Sequence, residues 1–109
     1  MNQKQIAPGE MVSLPSIAAQ DFSAGANVLA KDPAFQALLL GVSPAKPLAE
    51  HAVDGPIIVQ CLHGTVDFSI AGIARKMGAG DWMHVAGGEP HALSATEDST
   101  LLVIRVLTD

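Results

Sequence analysis

Four histidines, His51, His63, His84 and His91, are the side chains of this sequence with obvious site chemistry. An imidazole ligates metals, moves protons near neutral pH and anchors polar ligands. None of the four stands in a close pair such as His-x-His or His-Glu-x-x-His, so local spacing alone favours structural or surface roles. His63 precedes Gly64 at a predicted hairpin corner, which places it in solvent. His84 lies between Met83 and Val85 and shares a face with Trp82, and alternation does not say which side that face takes. His51 and His91 each stand at a strand boundary beside turn residues, 52–56 and 87–90. Polar groups at strand ends that open on a barrel mouth suit ligand contacts.

The elements that would position them are strands. Short apolar runs punctuated by Gly, Pro and Asp at regular spacing read as an all-β sandwich or barrel. Strands are predicted over 26–30, 35–42, 57–62, 65–70, 73–77, 82–85, 91–95 and 101–107, with turns at Lys31-Asp32-Pro33, Asp54-Gly55-Pro56, Ala71-Gly72 and Gly78-Ala79-Gly80-Asp81. Residues 1–26 read as an N-terminal arm with a strand near Met11 to Leu14, and 27–109 as the barrel domain. Ser16 to Ala26 supports one helical turn at most. The run Ile57-Ile58-Val59-Gln60-Cys61-Leu62 is apolar on both faces, which requires a second covering layer. Either the arm or a second subunit would supply it, and the expectation is a homodimer.

Composition bounds the function classes. At 109 residues, 49% apolar and 16% charged, the chain has material for one core. The net charge of −5 and six scattered basic residues exclude a nucleic-acid surface. No apolar run approaches membrane-spanning length, and the N-terminus lacks the continuous apolar stretch of a secretory signal. The lone Cys61 reads as a small buried hydrophobe rather than a nucleophile, and a cytoplasmic location is expected. Trp82, Phe68, Met77 and Met83 read as core, Glu97-Asp98 as a solvated loop pair and Asp81 as a turn residue.

The stretch from Gly64 to His91 resembles the second half of a cupin, whose fold is a double-stranded β-helix of the jelly-roll type. The family's second motif runs Gly, five residues, Pro-x-Gly, two residues, His, three residues, Asn. Here Gly80, Gly88 and His91 match, while Ala86 and Ala95 replace Pro and Asn. Its first motif runs Gly, five residues, His-x-His, three or four residues, Glu, six residues, Gly. Here His51 and Gly64 match, while Ala45, Val53 and Ile57 replace the first Gly, the second His and the Glu.

The resemblance implies a barrel whose metal shell is half dismantled. Cupins bind their metal through three His and one Glu, and His51 and His91 are the survivors. Two imidazoles hold at most a weakly bound divalent transition metal (Zn, Ni, Fe or Mn), with His84 a third ligand if it points inward. No cofactor is expected with certainty. The preferred reading is a module binding a small, partly apolar ligand, anionic if the histidines protonate, with His51 and His91 as polar anchors and Val53 and Ile57 as apolar wall. The alternative is a metal-dependent or His-based enzyme of the oxygenase, isomerase or decarboxylase type.

Overall fold

The computed structural model describes residues 3–107. Behind a short helix, α1 (Leu14–Ala18), come nine strands: β1 (Gly25–Lys31), β2 (Phe35–Val42), β3 (Leu48–His51), β4 (Ile57–His63), β5 (Thr65–Ile70), β6 (Ile73–Gly78), β7 (Trp82–Val85), β8 (His91–Ala95) and β9 (Ser99–Val106). They form a five-stranded sheet, β1-β2-β9-β4-β7, facing a four-stranded sheet, β3-β8-β5-β6. Every ladder is antiparallel.

Alternation decides what fills the space between the sheets. In β4 the inward residues are Ile57, Val59 and Cys61; in β5 they are Val66 and Phe68, and in β7 Val85. These pack with Val42, Met77, Leu93 and Leu101 into one core, with Val53, Ile70 and Met83 half-buried against it. Each large side chain moved out of water contributes roughly 1.5–3 kcal/mol. At one end of the barrel Gly64 turns at φ +86° with its Cα against the Ser99 hydroxyl, leaving no room for a Cβ. Ser99 is buried and accepts a hydrogen bond from the Thr65 amide at 3.1 Å, so its polar group is satisfied.

The outward residues of the larger sheet form a second apolar layer, which the chain's own arm covers in part. Ile17 of α1 is 1% exposed and packs with Leu29, Ala37, Leu39 and Leu102, and Leu62 joins the same cluster. The double-sided apolar character of β4 is therefore met at Leu62 by the arm, while Ile58 stays half-buried on the uncovered part of that face.

Three expectations need correction. The predicted strand near Met11 to Leu14 does not form: Met11 to Ser13 are irregular and Leu14 opens α1. The Ser13 hydroxyl accepts from the Ser16 amide, and Pro15 sits in the first turn, both helix-start signals. The strand β3 was not expected, because Leu48-Ala49-Glu50-His51 lacks β-branched residues; it exists through irregular pairing with β8. Trp82 is not core but 60% exposed, because Met83 and Val85 take the inward positions of β7. Among the described residues no helix is long and apolar enough to cross a membrane.

Candidate functional site

The hairpin register of the smaller sheet lays its inward side chains out in rows. The two-residue turn Ala71-Gly72 pairs Ile70 with Ile73, Phe68 with Arg75 and Val66 with Met77. The β5–β8 ladder pairs Ile70 with His91 and Phe68 with Leu93, and the β3–β8 ladder pairs His91 with His51. One row across the sheet therefore reads His51, His91, Ile70, Ile73, and the next runs Leu93, Phe68, Arg75. The first row lies at the end of the barrel where β4 begins with Ile57.

His51 and His91 are brought together directly. Their ring centroids are 4.4 Å apart with the planes at 60°. His91 is 3% exposed and stacks on Phe68 at 5.7 Å and 17°, whereas His51 is exposed. Each ring uses Nδ1 in the same way, 3.0 Å from the carbonyl oxygen two residues upstream, Ala49 for His51 and Glu89 for His91. A carbonyl only accepts, so each Nδ1 carries a proton and each neutral ring keeps its lone pair on Nε2. Backbone anchoring of one ring nitrogen fixes both orientation and tautomer of an imidazole.

The loops on either side are tied together. The Gly88 amide donates to the Val53 carbonyl at 2.7 Å. Gly87 presses against the Asp54 carbonyl so closely that a Cβ would not fit. Val53 is half-buried against the core and Ile57 is 4% exposed, so both belong to the apolar interior.

The other sequence candidates lie elsewhere. His84 alternates to the outside of β7, paired with Ile58, and does not join His51 and His91. The exposed His63 lies six residues beyond Ile57 along β4, about 20 Å away at strand rise. Among the described residues no three His, Cys, Asp or Glu side chains stand together to hold a metal ion. Two imidazoles fall short of the three protein ligands of a catalytic zinc and the four of a structural one, so the residues present do not make a complete metal centre. Cys61 is fully buried, and burial pushes its thiol above the usual range, which opposes the thiolate a nucleophile requires.

Sequence reasoning assigned Phe68 to the core and gave no role to Ile70, Ile73 or Arg75. The register that gathers them was available in the Ala71-Gly72 turn, since a two-residue hairpin pairs the residues flanking it.

No family model matches this chain, and no curated protein matches it in sequence. Solved structures do match it. A conserved protein of unknown function from Streptococcus pyogenes superposes with a TM-score of 0.78 at 18% identity, covering 100% of this chain and 97% of that one. A cupin superfamily protein from Desulfitobacterium hafniense gives 0.79 at 16% identity, covering 99% and 100%. The iron(II) form of HppE in complex with substrate gives 0.67 at 18% identity, covering 81% and 61%. The chain has the cupin fold, and some proteins of that fold are metal-dependent enzymes.

Proposed function

We propose that this protein is a small-molecule-binding module whose ligand sits at the barrel mouth on His51 and His91. The observation that carries the reading is the histidine pair itself. Two imidazoles lie 4.4 Å apart with both Nδ1 atoms held by backbone carbonyls, so each keeps Nε2 for another partner. Ile70 pairs with His91 and Phe68 stacks on its ring, and Val53 and Ile57 pack in the same apolar core. A mostly apolar cavity with a few oriented polar groups is the usual form of a small-molecule site.

Binding is preferred to metal-dependent oxygen chemistry because of the donor set. Val53 and Ile57 occupy the positions where the cupin motif carries His and Glu, and neither side chain donates to a metal. The fold hosts many chemistries, so the site decides the function.

The test is a thermal-shift screen of metabolite-sized carboxylic acids, amides and alcohols, followed by calorimetry on the compounds that stabilise the protein. Such compounds should lose at least about tenfold in affinity for the H51A/H91A variant, the scale of losing hydrogen bonds to polar anchors. Undiminished affinity for that variant, or no stabilising compound for the wild type, would overturn the reading.

A further inference from the structure

One side of the barrel mouth carries chemistry that the histidine pair leaves unexplained. A cavity of about 380 Å³ is lined by Phe68, Ile70, Ala71, Ile73, Arg75, Met83 and His84. Its volume falls in the range of small-ligand sites. It lies next to the histidine pair, which does not itself line it: Ile70 is the cross-strand neighbour of His91 and Phe68 stacks on the His91 ring.

Two features there point to a ligand. Ile73 is 65% exposed although it lies on the inward face of its sheet, paired with Ile70. A large aliphatic side chain on an inward face is ordinarily covered, so this wall lacks an apolar partner. Beside it stands Arg75, paired across the ladder with Phe68 and on the same face, and no acidic residue lines the cavity to neutralise it. Arg75 is the one Lys or Arg in this lining, with His84 as the other basic side chain. Guanidinium meets a carboxylate through two parallel charge-assisted hydrogen bonds.

We infer that the cavity selects a small organic acid, its apolar body along Phe68, Ile70, Ile73 and Met83 and its carboxylate on the Arg75 guanidinium. The inference deepens the binding reading above and rests on it, because it names the chemical class that the same mouth would take. A protein of net charge −5 repels anions overall, so selection of an acid depends on this local cation and weakens as salt screens it.

The test uses phenylacetate and its neutral isostere phenylacetamide as probes, by calorimetry and by backbone amide shifts of Ile73 and Met83. Wild-type protein should bind the acid about tenfold or more tightly than the amide, the scale of one charge-assisted contact. R75Q should erase that preference for the acid over the amide; Arg75 is exposed, and a circular-dichroism spectrum checks that the variant folds. Equal affinity for both probes, a preference that survives R75Q, or no binding of either probe to the wild type overturns the inference. Measuring H51A/H91A in parallel separates the two claims. If it binds both probes like wild type while R75Q loses the preference, the histidine reading falls and the arginine inference stands. If it loses both probes while R75Q retains the preference, the reverse holds.

Discussion

The Gly88 amide donates to the Val53 carbonyl at 2.7 Å, joining the loop that leads into β4 to the loop that leads into β8. The two histidines flank that clip, one just before the first loop and one just after the second. Rim geometry therefore sets site geometry, and the adjacent glycines hold it for different reasons. Gly87 has the Asp54 carbonyl where a Cβ would stand, whereas Gly88 has open space but a φ of +79°. G87A should destabilise by about 2 kcal/mol or more, because backbone must move. G88A should cost about 1 kcal/mol, the strain of a left-handed alanine. Urea unfolding of the two variants checks the order.

The histidine pair predicts a separation of stability from binding. His91 is wedged between His51 and Phe68 with 3% exposure, so H91A leaves a void and should lose about 1–3 kcal/mol. His51 is exposed, so H51A should stay within about 0.5 kcal/mol of wild type. Both single variants should nevertheless weaken a ligand held at the mouth. Chemical denaturation alongside calorimetry tests this, and equal stability losses would count against the packing described.

Cys61 should be silent to thiol reagents until the protein unfolds. Its side chain is fully buried, and burial holds its pKa above the ordinary thiol range, outweighing a backbone hydrogen bond at His63 that acts the other way. The sign for stability follows from linkage. The unfolded thiol loses its proton first, so the contribution is intact below about pH 9 and is lost as pH rises toward the folded-state pKa. Stability should therefore fall above about pH 9, and C61A should flatten that alkaline limb. Rapid labelling by Ellman's reagent at pH 8 in native buffer would contradict the burial.

The Ala71-Gly72 turn is a place to gain stability. Ala71 is the one non-glycine residue at positive φ among those described, at 52°, and Gly72 follows at 79°. Two successive positive φ values define the hairpin turn that favours Asn-Gly. A71N should therefore stabilise by about 0.5–1 kcal/mol, raising the melting temperature by several degrees for a domain of this size. A lowered melting temperature would show that Ala71 makes contacts at the cavity rim that asparagine disturbs.

Much of the architecture is local and therefore legible from residue order. Alternation of Val66, Phe68 and Ile70, the turn residues Ala71-Gly72 and the glycines at 64, 80 and 88 specify strands and corners. The observed bounds of 65–70, 82–85 and 91–95 agree with the expected ones. Those glycines sit at φ +86°, +90° and +79°, positions the backbone itself requires to be glycine. The same counting singled out His51 and His91 and placed Val53 and Ile57 where donors would otherwise stand. Four features lay beyond it: β3, the outward turn of Trp82 and His84, the arm's helix over Leu62, and the neighbourhood of Arg75. Each depends on which face of a strand meets the core or on what packs across from it. Hydrophobic alternation divides a strand into two faces without saying which is inside, because that sign is set by partners distant in the chain. Sequence alone thus determined the strand pattern of the barrel and singled out His51 and His91. Only the tertiary structure decided that the two rings touch, and that an arginine and an uncovered isoleucine line a cavity next to them.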